Sequence, residues 1–469
     1  MIGLQDIKAV YFIGIGGIGM SALARFFNSK GVRVSGYDKT ATDLTKQLEG
    51  EGMKVFYDET PASIPKDVEL VVFTPAIPEA HQALVFYRTN GYQVVKRSDV
   101  LQIITASSLN VCVAGTHGKT TISTMTSFLL QESGYGCNAF LGGVSVNYGT
   151  NFWSSSNPLC VVEADEYDRS FHKLSPDFAV VSSMDPDHLD IYGTPENVEQ
   201  AFIEFTEKIR TGGWLLHKHG LKRAAELKAD HVMSYHVHDK QADIHVLNLK
   251  IESGGYRYDV VIGKGDSQHV IRDLILHVGG LHNVENSLPA IAICHLLQLA
   301  DDKIREAMAA FLGVKRRFEY WIKPGEGDIV MIDDYAHHPE ELSALIGGAR
   351  SLFEGYGLML IFQPHLYSRT KDQAEGFASS LDMADMSILL PIYPARELPI
   401  AGVSSQIIVD KMRIQNKRLI DKETLIQNIR NLVIENQLIS GNNRWVIITA
   451  GAGDIDAMIP ALKEKILNG

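Results

Sequence analysis

The run Gly115-Thr116-His117-Gly118-Lys119-Thr120-Thr121 follows the apolar stretch Val111-Cys112-Val113 and precedes the helical pattern Ile122-Ser123-Thr124-Met125. A glycine-rich loop between strand and helix offers backbone N–H groups to phosphate. Its lysine reaches the β and γ phosphates, and its hydroxyl binds Mg²⁺. Lys119 and Thr120 hold those two positions. The spacing departs from the commonest phosphate loop, because position 113 is Val and two residues separate Gly115 from Gly118. A glycine turn with a surface lysine is the competing reading, but Gly-Lys-Thr-Thr between strand and helix favours ATP.

Carboxylates and a histidine follow in the same stretch. Glu163 ends the apolar run Leu159-Cys160-Val161-Val162, which puts a carboxylate at the carboxyl edge of a sheet, where phosphate-bound Mg²⁺ belongs. His188, in Asp185-Pro186-Asp187-His188, follows another such run, Ala179-Val180-Val181. Alone, one is an ordinary surface acid and the other a hydrogen-bonded histidine. After a phosphate loop they become, with Thr120, metal-ligand candidates.

Gly14, Gly16 and Gly19 form G-x-G-x-x-G between the run Val10-Tyr11-Phe12-Ile13 and a helix with Met20, Leu23, Phe26 and Phe27 apolar. Such glycines allow a tight turn and let a diphosphate approach a helix N-terminus. Asp38, ending the next strand, is placed to accept a ribose hydroxyl. The pattern indicates a nucleotide without saying which, and a structural glycine turn is its bland alternative.

Further polar groups cluster where apolar runs end. Asn283, in Gly280-Leu281-His282-Asn283, is either a helix N-cap or a nucleotide contact. Arg316 and Arg317 form a solvated patch or reach into a cleft toward phosphate, and their place at a domain boundary favours the cleft. Val330-Met331-Ile332 runs into Asp333-Asp334-Tyr335-Ala336-His337-His338-Pro339. The adjacent histidines lack the i, i+4 spacing of a helical metal pair, so contacts to nucleotide and substrate are expected of Asp334, Tyr335 and His337. Arg369 offers a planar fork for a carboxylate. Gly451-Ala452-Gly453-Asp454 is a plain turn or a further anion site.

These groups must be positioned by alternating strands and helices, which predicts an α/β fold with mostly parallel sheets. At 469 residues the chain exceeds one hydrophobic core. Fresh strand-loop-helix starts after about residue 106 and near 315–325 predict domains at 1–106, 107–316 and 317–469. The expected long helix from Asn283 has Val284, Leu288, Ile291 and Cys294 on its apolar face. A net charge of −12 argues against a nucleic-acid or membrane-surface binder. Four cysteines without paired zinc spacing, no leader pattern at Met1–Lys8 and no long apolar run predict a cytoplasmic protein.

Taken together, Gly14-Ile15-Gly16-Gly17-Ile18-Gly19, Gly115 to Thr121, Glu163-Ala164-Asp165-Glu166, Gly280-Leu281-His282-Asn283, Arg316-Arg317-Phe318, Asp333 to Pro339 and Phe362-Gln363-Pro364-His365 resemble the Mur ligases of bacterial cell-wall synthesis, and among them the alanine-adding branch. The resemblance spans essentially the whole chain. It implies a Rossmann-like N-terminal domain for the UDP part of UDP-N-acetylmuramate, a central P-loop-type ATPase domain for ATP and Mg²⁺, and a Rossmann-like C-terminal domain that admits L-alanine. On that resemblance Gly14, Gly16, Gly17, Gly19 and Asp38 hold the UDP-sugar, and residues 115–121 hold ATP. Thr120, Glu163 and His188 ligate Mg²⁺. Asn283, Arg317 and Asp334 line the ATP site, with Lys119 and Arg317 offsetting charge on the transferring phosphate. Tyr335 and His337 approach the reacting centre, and Arg369 takes the alanine carboxylate. Leu366 stands where that branch often has arginine, and the stretch Asn197–Phe205 lacks the bridging lysine of several other Mur relatives.

Three other readings compete. A ligase that reattaches whole tripeptides to UDP-muramate shares most motifs. A nicotinamide-dependent oxidoreductase would explain Gly14 to Asp38 but not the Gly115 loop. Another P-loop NTPase would explain that loop but not the third domain.

Overall fold

The structure, a computed structural model, describes residues 6–58, 64–167, 169–252, 254–395 and 397–468. It is a three-domain α/β fold built on three sheets. In the first sheet, Lys54–Phe56, Arg33–Tyr37, Ala9–Ile13, Leu70–Phe73 and Gln93–Lys96 lie side by side in that order, all parallel. Ala9–Ile13 is buried on both faces, which is why it reads as a continuous apolar run and not as an alternation.

A second sheet of ten strands carries the phosphate-loop candidate. Its central strand, Asn110–Ala114, is flanked by Phe178–Val181 and Cys160–Glu163, both parallel to it. All three carboxyl ends therefore face the same edge. The loop from Asn110–Ala114 into the helix Lys119–Glu132 opens at that edge, beside Glu163.

The third sheet orders Glu319–Ile322, Ile329–Asp334, Trp445–Ala450, Gly357–Phe362, Met386–Leu389 and Lys417–Leu419. The first pairs antiparallel and the others are parallel. The carboxyl ends of Ile329–Asp334 and Gly357–Phe362 project the Asp334–His338 and Gln363–Arg369 segments.

By compactness the described chain forms two units. One comprises residues 1–247, 259–272 and 285–308, and the other 248–258, 273–284 and 309–469. The first two sheet regions share a unit because one hydrophobic cluster runs from Val10, Phe12 and Phe27 through Cys112 and Val162 to Phe205 and Leu215. Phe26 joins them directly, its ring 5.5 Å from that of Phe140 and 6.2 Å from that of Phe152.

The predicted long helix is Leu281–Leu296. Val284, Leu288, Ile291 and Cys294 are all fully buried, as their spacing requires. Its start lies ahead of Asn283, so that residue is no N-cap. Asn283 sits within the first turn, 1% exposed, and its amide donates to the Gly279 carbonyl at 2.6 Å.

Candidate active site

Backbone geometry explains the glycines of the phosphate-loop candidate. Gly115 has φ +135° and Gly118 φ +83°, conformations that side chains resist. A Cβ on Gly115 would also fall 2.1 Å from the Ser182 hydroxyl. Ser183 Oγ accepts the His117 N–H at 2.7 Å and lies 3.0 Å from the Thr116 hydroxyl. Thr116 Oγ1 in turn accepts the Asp185 N–H at 2.9 Å. Ser182 and Ser183, which no motif singles out, thus buttress the loop from the neighbouring strand end.

Lys119 opens the following helix and donates to the Gly115 carbonyl and to Glu166 Oε1, each at 2.7 Å. Glu166 is 2% exposed, and burial raises its pKa despite the lysine. Its second oxygen, Oε2, is buried and has no hydrogen-bond partner among the described residues. Thr120 donates to Glu163 Oε1 at 3.1 Å, and the Gly142 N–H donates to Glu163 Oε2 at 2.9 Å. Burial likewise raises the Glu163 pKa, with Lys119 opposing. A hydroxyl, a carboxylate and an unsatisfied carboxylate oxygen beside the phosphate-loop lysine are hard oxygen donors of the kind that suits Mg²⁺.

His188 stands at the N-cap of the short helix Leu189–Tyr192 with φ +51°. Its ring packs edge-on against Tyr167, 5.0 Å between centroids, and its Nε2 is 3.6 Å from Asp187. Its described ring and ion-pair contacts are thus to Tyr167 and Asp187.

In the first sheet region Asp38 accepts the Gly16 N–H at 2.8 Å, so the carboxylate reserved for ribose here closes the loop itself. Gly14 has φ +88° and its N–H donates to the Tyr37 carbonyl at 2.7 Å. Gly17 caps the helix Ile18–Ser29. The guanidinium of Arg97 occupies the space over Gly19, where a Cβ would meet Nη1 at 2.1 Å, and it pairs with Asp165 at 3.0 Å. Arg97 escapes notice in the sequence because it is far from every glycine motif. It brings a cation to a helix N-terminus already suited to anions.

The second unit gathers the other candidates. Arg316 donates to Asp333 at 3.1 Å and to the Gly451 and Gly453 carbonyls. The Gly451–Asp454 turn thus directs two of its carbonyls toward the Arg316 guanidinium. Arg317 lies over the Tyr335 ring at 5.4 Å. Asp334 accepts the Phe318 and Ala336 N–H groups, each at 2.8 Å, which fixes the two segments against each other. Burial raises the Asp334 pKa, with Arg317 opposing.

Glu341 accepts the His337 and His338 N–H groups at 2.9 and 3.2 Å, ordering the turn before the helix Pro339–Leu352. His337 packs against Tyr335, His338 and His365, with centroids 5.3, 4.8 and 6.1 Å away. Burial holds the His337 imidazole well below its ordinary range, with Glu341 opposing and Arg369 adding to the fall. His365 is lowered by burial and by Arg369, and its Nδ1 is buried with no hydrogen-bond partner among the described residues. Tyr335, His337, His365 and Arg369 thus form one cationic and imidazole cluster. His365 is a member the sequence reading left unassigned.

Three family models match the chain. Residues 9–108 match the Mur ligase family catalytic domain, 113–294 the Mur ligase middle domain, and 316–453 the Mur ligase glutamate ligase domain. A UDP-N-acetylmuramate–L-alanine ligase of Parabacteroides distasonis is 44% identical over 467 residues, covering 98% of each chain. The UDP-N-acetylmuramate-alanine ligase of Thermotoga maritima is similar in structure, with TM-score 0.79, 26% identity and 98% and 99% of the two chains covered. A murein peptide ligase of Psychrobacter arcticus shares the fold at TM-score 0.66 and 19% identity, over 98% and 99% of the chains.

Proposed function

The chain belongs to the Mur ligase family, and from that premise we propose that it joins L-alanine to the lactyl carboxylate of UDP-N-acetylmuramate with conversion of ATP to ADP and phosphate. The observation that carries this reading is full-length 44% identity to an alanine-adding ligase, joined to a lysine-bearing phosphate loop beside paired oxygen donors. The proposed division of labour is 1–106 for the UDP-sugar, 107–316 for ATP and 317–469 for the amino acid. Among the described residues no helix is long and apolar enough to cross a membrane, and we assign the enzyme to the cytoplasm, where these substrates are charged and soluble.

The lactyl carboxylate attacks the γ phosphorus and ADP departs, leaving an acyl phosphate. The amine of L-alanine then attacks the acyl carbon, and loss of phosphate from the tetrahedral intermediate leaves the amide. Backbone N–H groups of Gly115, Thr116, Gly118 and Thr121 cradle the nucleotide, the His117 N–H being held by Ser183, and Lys119 leaves Glu166 for the γ phosphate. Asn283, Arg317 and Asp334 are the second unit's proposed nucleotide contacts. Thr120 and Glu163 would hold Mg²⁺, with His188 toward a second ion. When bound, Mg²⁺ neutralises charge on the phosphates.

Gly14, Gly16, Gly17 and Gly19 shape the turn that would bring the diphosphate of UDP to the N-terminus of the helix Ile18–Ser29, with Arg97 beside it; the N–H groups of Gly14, Gly16 and Gly17 are themselves bonded to Tyr37, Asp38 and Gly14. Asp38 serves them by fixing Gly16, and it would turn to a ribose hydroxyl only by giving up that bond. Arg369 takes the alanine carboxylate. His337 and His365, held neutral, can accept a proton from the attacking amine, and Tyr335 orients His337.

Phosphate release from ATP is expected to need both UDP-N-acetylmuramate and L-alanine. Equal release with either omitted would overturn the ligase reading. Incorporation of L-alanine well above that of glycine, L-serine or L-Ala-D-Glu-diaminopimelate is expected; preference for the tripeptide would move the chain to the recycling branch.

A further inference from the structure

Apart from the residues of the candidate active site, His269, His295 and Asp301 converge. His269 opens the strand His269–Leu276, His295 lies in the last turn of Leu281–Leu296, and Asp301 starts the helix Asp301–Ala310. One ligand atom from each lies within 4.8 Å of the other two. The imidazoles stack at 4.5 Å between centroids, tilted 18°. His269 Nε2 lies 2.9 and 3.0 Å from the two Asp301 oxygens. The three side chains, with Leu296, Gln298 and Leu299, line an open hollow of about 470 Å³.

We infer that His269, His295 and Asp301 form a binding site for a borderline transition-metal dication such as Zn²⁺, separate from the ATP and substrate sites. Two imidazole nitrogens and one carboxylate oxygen are the ligand set of open zinc sites, which complete their coordination with water. Such donors favour Zn²⁺, Ni²⁺ or Cu²⁺ over Mg²⁺ and Ca²⁺, which take oxygen ligands. Bonds of about 2.0–2.1 Å put tetrahedral donors roughly 3.3 Å apart, a closing that rotation of these side chains provides, since His269 and Asp301 are 40% and 35% exposed. Charge is placed to suit a cation. Asp301 supplies the negative charge, and His295 sits at the carbonyl end of its helix, where positive charge is favoured. Gln298, with φ +62°, ends that helix abruptly, and the His295 carbonyl accepts its N–H at 2.8 Å. The turn fixes His295 beside Asp301.

Calorimetric titration of the chelator-treated full-length protein with Zn²⁺ alone, in excess Mg²⁺ to saturate oxygen-ligand sites, tests the assignment. The wild type is expected to bind one more equivalent of Zn²⁺ than the double variant His269→Ala, His295→Ala. Asp301→Asn retains both imidazoles and alters a half-exposed side chain; it is expected to weaken that equivalent at least about tenfold. Identical Zn²⁺ stoichiometry and affinity in wild type and Asp301→Asn would overturn the proposal, as would an equivalent unchanged in a folded double variant.

Discussion

At the scale of single residues, the most consequential feature is that the lysine proposed to act on the γ phosphate already has a partner. Lys119 is paired with Glu166, which is almost wholly buried. Removing one member of such a pair costs about 3–5 kcal/mol, because the other charge is left uncompensated. Lys119→Ala therefore confounds catalysis with folding. Lys119→Met combined with Glu166→Gln removes both charges, and it is expected to abolish turnover while UDP-N-acetylmuramate binding and thermal stability stay near wild type. Lost UDP-sugar binding in a folded double variant would contradict separate nucleotide sites. Lys119, Thr120 and Glu163 were legible in the sequence because a phosphate loop is local and spaced. Glu166 was visible only as part of a motif, and Ser183 and Arg97 not at all, since their roles come from neighbouring strands and a distant helix start. The histidines of the second unit add a pH signature. Both His337 and His365 are held below the usual imidazole range, chiefly by burial. The unfolded chain then binds protons more readily, so the stability of the neutral rings is complete above about pH 6.5 and is lost as pH falls through their folded values. Urea unfolding at about pH 7.5 and about pH 5 should show the wild type losing stability relative to the double variant His337→Gln, His365→Gln. An equal loss in both proteins would deny these rings that role.

At the scale of elements, parallel strand ends decide what meets what. Sequence patterning placed Leu70–Phe73 and the apolar cores of Asn110–Ala114, Cys160–Glu163 and Gly357–Phe362, because strands buried on both faces are unbroken apolar runs. The strand Ile244–Glu252 escaped although its residues alternate, since its second half is mostly exposed and lacks such a run. Tight approaches between elements are equally hidden from spacing. Gly142 follows the strand Asn138–Phe140, and a Cβ there would fall 2.2 Å from Glu163 Oε2. Gly142→Ala must push the Glu163 carboxylate off its bond to the Gly142 N–H, a charged hydrogen bond worth about 1.5–3 kcal/mol. Turnover at limiting Mg²⁺ is expected to fall by roughly one to two orders of magnitude, with partial recovery at high Mg²⁺. An unchanged Mg²⁺ dependence would show that Glu163 does not hold the ion. Leu366 marks a second such place. With φ +71° and ψ 138° it occupies backbone space that normally needs glycine, at the N-cap of the helix carrying Arg369. The surrounding contacts, including the Leu366 N–H donated to the Tyr393 carbonyl at 2.9 Å, hold it there. Strain of about 1–3 kcal/mol beside a substrate site is commonly tied to function.

At the scale of the whole molecule, three sheets do not make three compact units. The sequence signalled fresh strand-loop-helix starts, which are local, but the packing that fuses the first two sheet regions depends on which face of a helix each apolar residue takes. Phe26 and Phe27 are adjacent and equally apolar. Yet Phe27 is buried in the core of the first sheet region, while Phe26 turns to Phe140 and Phe152. Polar contacts repeat the link, with Arg25 and Ser21 both bonded to Asn151. Phe26→Ala removes the aromatic part of this joint. Full burial would make the cost about 3–5 kcal/mol, and the partial exposure of Phe26 reduces it to about 2–3 kcal/mol. If residues 6–247 unfold together, amide exchange should quicken in both Ala9–Ile13 and Cys160–Glu163, by about thirtyfold or more at the slowest sites. Faster exchange confined to Ala9–Ile13 would show that the first sheet region opens alone. In that event the polar ties between the two sheet regions, Arg97–Asp165 and Lys173–Asp99 among them, would not be enough to couple their opening.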